Sequence, residues 1–212
     1  MKHLLMWVLA IQAAGALQLR VIVYDKANLS RDMRSEAFDH LRRIFRQSKI
    51  AVEIVAGDLS AEEPSVMNYS QAPFPGREKE AACSARRDIA LDIIPGALPG
   101  LAAGILGMSQ PLAKAGLNVR IYYDHIQNVA AHGNVPLASL LAHAIAHEIG
   151  HVLLRSGDHS DWGLMSSVWG HREYELMERG LLSFERDKSG RMLENLRGEG
   201  CPATGFSAGG RP

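Results

Sequence analysis

The sequence lacks an excess of charge of either sign: 23 basic residues balance 23 acidic ones over 212 positions. That balance removes the electrostatic reason to expect nucleic acid or an anionic membrane as a partner. Cysteine is nearly missing. Cys83 and Cys201 are the only two, so a disulfide framework is excluded, while one bridge between them stays open if the protein is exported. There is no internal repeat and no compact acidic loop of the kind that cages calcium. Long apolar runs are absent except at the N-terminus. There Lys2 precedes a 13-residue apolar run from Leu4 to Ala16, and Ala14-Gly15-Ala16 offers small residues for cleavage. Such a run falls short of the roughly 20 residues a spanning helix needs. Residues 1–16 therefore read as a secretory signal, with a mature chain from near Leu17 and a secreted or periplasmic location. A first strand or a buried N-terminal helix is the structural alternative. No other segment reads as transmembrane, and no stable membrane association is expected.

What the chain does contain is a succession of clear periodicities. Leu17 to Tyr24 is rich in β-branched and apolar residues and reads as a strand. Met33, Ala37, Phe38, Leu41, Ile44 and Phe45 recur at helical spacing, which predicts an amphipathic helix over residues 31–48. Ile50 to Val55, Asp88 to Ile94 and Val119 to Tyr123 read as further strands. Ile105 to Ser109 reads as a short one at a sheet edge. Residues 57–87 carry Pro64, Pro73, Pro75 and Gly76 among charges and suggest an irregular loop. Strand, helix, strand and then more strands point to a mixed α/β domain with a twisted sheet, spanning 17–198. Residues 199–212, rich in glycine and proline, read as a flexible tail.

Asn134 as cap and Pro136 in the first turn predict a helix from Leu137 to Leu154 or Arg155, ended near Gly157. Inside it lies His147-Glu148-Ile149-Gly150-His151. Two histidines four apart share one helix face, so both imidazoles can reach one metal ion. The glutamate beside the first projects next to the ion, where it can take a proton from water and pass it to a leaving amine. Leu141, Ile145, Ile149 and Val152 would face the core, and the histidines would share the other side with Leu140 and Leu154.

The stretch HEIGHVLLRSGDHS (His147 to Ser160), followed by WGLM (Trp162 to Met165), resembles the metzincin clan of zinc proteases, whose pattern is H-E-x-x-H-x-x-G-x-x-H with a later methionine turn. The resemblance implies Zn2+ as cofactor, His147, His151 and His159 as ligands, Glu148 as catalytic base and Met165 as the turn methionine. It also implies an α+β zincin-like fold, with a twisted mixed sheet, an active-site helix and a small C-terminal helical lobe. Here Leu154 stands where the pattern has glycine, and the third histidine comes two positions late. Asp158 is therefore a competing third ligand. So is a glutamate of the helix-like segment His171 to Arg179, namely Glu173, Glu175 or Glu178, as in gluzincins.

The function implied is a secreted zinc endopeptidase acting on peptide or protein substrates as a monomer. A rival class is a non-catalytic metal- or partner-binding protein on the same scaffold, and the same chemistry would also hydrolyse a non-protein amide. Simpler readings apply to the other candidates. His143 fits a packed or rim position, His125, His132 and His171 fit solvated ones, and Trp162 and Trp169 fit either a pocket wall or ordinary packing. Leu181, Leu182, Phe184, Met192, Leu193 and Leu196 suggest a last helix under the site.

Overall fold

β1 (Leu17–Asp25) buries Leu19, Val21, Ile22 and Val23, as a central strand covered on both faces does, and exposes Gln18 and Arg20 near its start. The computed structural model describes residues 17–59, 88–97, 99–102, 104–111 and 117–198. The predicted signal segment, both cysteines, most of the predicted irregular loop and the predicted tail lie outside the described residues.

β1 is followed by α1 (Arg31–Gln47), started by Ser30, whose hydroxyl accepts from the Met33 amide at 3.1 Å. The chain then enters β2 (Ile50–Ala56), parallel to β1. β3 (Asp88–Ile94) runs parallel to β1 on its other side, and β5 (Leu117–Tyr122) parallel to β3. β4 (Gly107–Ser109) is three residues long and pairs antiparallel with β5, closing the order β2-β1-β3-β5-β4. The fold is thus mixed α/β with a five-stranded mixed sheet. β4 is shorter than the predicted Ile105–Ser109 and ends the sheet at its edge.

An 11-residue helix that the sequence reading did not assign, α2 (Tyr123–Gly133), leaves β5 directly. It corrects the role of Asn134. That residue takes the left-handed conformation (φ 50°) and closes α2, while Pro136 occupies the cap position of α3 (Leu137–Leu154). α3 ends at Leu154, as the sequence predicts, but the reversal after it is placed differently. Arg155, not Gly157, makes the reversal, at φ 52°.

α3 is the centre of the molecule. It packs against α1, α2, β4, β5 and α5 (Arg186–Arg197), with α4 (His171–Glu178) beside it. Sixteen of its 18 residues are buried, so the two-faced helix of the sequence reading has no solvent face. Its length and apolarity would let it pass as a membrane span, but 89% of it is enclosed by the rest of the protein. Phe45 of α1 packs at a tilt of 46° against Phe184, ring centroids 5.3 Å apart, and Asn195 of α5 donates to the Leu153 carbonyl at 2.8 Å. These contacts tie the C-terminal helices to the far end of α3.

His143 is a core residue of α3, 1% exposed, with Nδ1 at 2.7 Å from the Ser139 carbonyl. Burial pushes its pKa down from 6.5 to about 4; the Ser139 carbonyl opposes that, while His40 and Arg43 of α1 add to it. A histidine kept neutral in this way contributes stability that is full above the unfolded pKa and lost as pH falls from 6.5 towards 4. Between pH 7 and pH 5 this site should cost about 2 kcal/mol. Urea unfolding of the native protein and of His143→Leu at both pH values should show that much less acid sensitivity in the variant.

Candidate metal centre

The turn after α3 brings the chain back over its own histidines. The Arg155 amide donates to the Val152 carbonyl at 3.3 Å and the Ser156 amide to the His151 carbonyl at 3.2 Å. In return, the Ser156 carbonyl lies 2.8 Å from His151 Nδ1. The Leu164 carbonyl lies 2.8 Å from His147 Nδ1. A carbonyl can only accept, so each Nδ1 carries the proton and each Nε2 is left with its lone pair. The two Nε2 atoms are 3.0 Å apart.

His159 completes the group. Its ring stacks on that of His147 at 5.3 Å and meets that of His151 edge-on at 4.8 Å. One nitrogen from each of the three imidazoles lies within 4.8 Å of the others. Burial drives the His147 pKa down to about 4, and burial lowers that of His151, so the two helix imidazoles are neutral ligand donors at ordinary pH. Two lone pairs held face to face by fixed tautomers repel unless a cation lies between them. The donor set therefore fits a metal ion, and three imidazoles suit zinc among the common divalent ions.

Of the sequence alternatives for the third position, Asp158 is exposed and its carboxylate accepts from the Ser156 hydroxyl at 2.7 Å. Glu173 is buried, but its carboxylate accepts from the Gly170 amide at 3.1 Å and caps α4. Glu175 and Glu178 are exposed on α4. None of these joins the three-imidazole group.

The loop from His159 to Met165 is pinned beneath the site. The Ser160 amide donates to the Met165 carbonyl at 2.8 Å, and Ser160 and Ser166 form an isolated bridge. Met165 is fully buried against Gly150 of α3. A Cβ on Gly150 would come within 2.6 Å of Met165 Sδ and 2.7 Å of Phe184 Cε1, so only glycine lets the methionine in. Trp169 stands edge-on to His147 at 5.6 Å and its indole N–H donates to the Leu164 carbonyl at 3.3 Å. Trp162 is 55% exposed.

Glu148 is held on the other side of His147, under β4. A Cβ on Gly107 would meet its Cγ at 2.8 Å, so glycine in β4 is what admits the carboxylate arm. Burial pushes the Glu148 pKa up to about 7, and a hydrogen bond from the Ser109 hydroxyl opposes that rise. The sequence places Gly107 and Ser109 in the predicted edge strand Ile105–Ser109 without giving either a role at the site; a glycine in the middle of that strand is the one local signal.

Among solved structures, the crystal structure of archaemetzincin from Methanopyrus kandleri is similar, with a TM-score of 0.51. The match covers 88% of this chain and 99% of that one, at 13% identity. This chain has an archaemetzincin-like fold. The likeness at that identity is one of backbone, and it extends to the sheet and helices upstream of the histidines. No protein-family model matches the sequence, and no curated protein does.

Two outcomes follow from this geometry. One zinc per chain should bind, measured by metal analysis after dialysis. His147→Ala and His159→Ala should each weaken it in chelator competition, whereas Asp158→Asn should not. Gly150→Ala should destabilise the protein by about 1–3 kcal/mol through overpacking, despite alanine's better helix propensity, as read by denaturant unfolding.

Proposed function

We propose that this protein is a zinc-dependent peptidase in which His147, His151 and His159 hold the ion and Glu148 is the general base. The observation that carries this reading is the convergence of three imidazoles on one point with a half-buried carboxylate beside the first of them. A metal site alone would need no such acid. The archaemetzincin-like fold supports the same reading.

Zinc bound there supplies Lewis acidity, polarising a peptide carbonyl and making water acidic near neutral pH. Glu148 takes the proton of the attacking water and later delivers it to the departing nitrogen. Its place under β4, with Gly107 against its stem and the Ser109 hydroxyl on its carboxylate, keeps it out of bulk water and in one orientation. The carbonyls of Leu164 and Ser156 keep the His147 and His151 rings turned inward. β4 is the edge of the sheet, with Met108 42% exposed, and an extended peptide pairs with such an edge through its backbone. Met165 packs against Gly150, the residue next to His151 on α3. The apolar N-terminal run, with its small-residue cleavage site, supports export of the enzyme, and a peptide or protein is its substrate.

The deciding comparison is Glu148→Gln against the native protein on a mixed peptide library. Turnover should fall by about 10²–10⁴-fold while zinc content stays at that of the native protein. Equal cleavage by both would remove Glu148 from the chemistry. A zinc-loaded native protein that cuts nothing would make the fold a binding scaffold.

A further inference from the structure

From sequence alone Trp169 fits either a wall of the site or ordinary packing, and the structure ties it to His147 twice. Its indole stands edge-on to the imidazole, ring centroids 5.6 Å apart and planes at 84°. Its N–H donates at 3.3 Å to the Leu164 carbonyl, the same oxygen that lies 2.8 Å from His147 Nδ1. A carbonyl oxygen has two lone pairs, so it can take both donors at once.

That carbonyl is held differently from its neighbours. The Gly163 carbonyl accepts from the Ser166 amide at 3.2 Å and the Met165 carbonyl from the Ser160 amide at 2.8 Å. Among the described residues no backbone amide donates to the Leu164 carbonyl; its two partners are side chains. The acceptor of His151 differs again, since the Ser156 amide bonds back to the His151 carbonyl and the backbone itself fixes that turn. If the Leu164 peptide rotated, His147 would lose the acceptor that keeps its proton on Nδ1 and its Nε2 lone pair outward.

Trp169 is placed to prevent that rotation, because the chain on both sides of it is anchored. Before it, the Ser166 hydroxyl donates to the Val168 carbonyl at 2.8 Å and accepts from the Val168 amide at 3.4 Å. After it, the Gly170 amide donates to the Glu173 carboxylate at 3.1 Å, at the start of α4. The half-buried indole itself packs against the core.

We infer that Trp169 is a positioning residue of the metal centre: its N–H holds the Leu164 carbonyl, and through it the ligating tautomer of His147. The inference rests on His147 as a ligand, and its test reads the metal and the imidazole apart from any peptidase activity. Zinc affinity is measured by chelator competition in the native protein, in Trp169→Phe, which keeps a ring but no N–H, and in Trp169→Leu, which keeps neither. Binding should weaken about tenfold in the first and by up to about a hundredfold in the second. Trp162→Phe, which removes an exposed indole, should stay within about twofold of the native value.

Nitrogen NMR of the metal-free, histidine-labelled proteins gives the signature that a packing role would leave alone. Native His147 should carry its proton on Nδ1 only, and Trp169→Phe should populate both tautomers. Zinc affinity equal to the native value in both Trp169 variants, or an unchanged His147 tautomer in Trp169→Phe, would overturn the role. So would a native His147 protonated on Nε2, a result that needs no variant to fold. A native protein that takes up no zinc discards the metal centre and this role together. Zinc uptake that depends on Trp169, in a protein that cuts no peptide, keeps the role and discards the peptidase.

Discussion

A helix enclosed on every side ordinarily has no use for polar side chains, and α3 carries three histidines and a glutamate among its buried or half-buried positions. Burying them is tolerable only because each inner ring nitrogen has its acceptor: Ser139, Leu164 and Ser156 each offer a carbonyl to a different imidazole. For His147 and His151 those same carbonyls do more than satisfy a donor. They fix the tautomer, and with it the direction of the outer lone pairs, so the demand of burial and the demand of ligation are met by one set of hydrogen bonds. The loop that supplies them, from Ser156 to Leu164, also carries His159.

The rest of the molecule serves that arrangement. The parallel strands β1, β3 and β5 give α3 and α1 an apolar face to lie on, and β4 adds an edge that reaches over Glu148. On the opposite side Met165 and Phe184 fill the hollow left by Gly150. The site thus sits between a rigid sheet edge and a tightly pinned loop. Each side contributes a different element: an oriented acid from the strand side, a third imidazole from the loop side.

Much of the fold was legible because its signals are local. The strands at Leu17, Ile50 and Asp88 and the helix over residues 31–48 are read from period and composition, and the structure has them within a residue or two. α2 escaped because only Ile126 and Ala130 of its 11 residues are buried, too few to draw a stripe. Asn134 misled for a chemical reason: its short amide side chain favours both an N-cap and the left-handed conformation that ends a helix, and the unread helix before it decided between them. Arg155 shows the converse. Glycine is the usual residue for a left-handed reversal, so Gly157 attracted the assignment, yet Arg155 takes that conformation, with its amide and that of Ser156 bonded back to the last turn of α3.

The sequence by itself determined that two imidazoles and a carboxylate share one helix, since a spacing of four residues places side chains on the same face whatever surrounds them. Which side chain stands beside the pair was decided by the tertiary structure alone. His159, Asp158 and the glutamates of α4 are all close in sequence, and only the path of the loop after Arg155 brings His159 round and leaves the others outside. The same holds for Gly107 and Ser109, some 40 residues upstream of Glu148: no local pattern links an edge strand to a helix it meets only when the sheet is built.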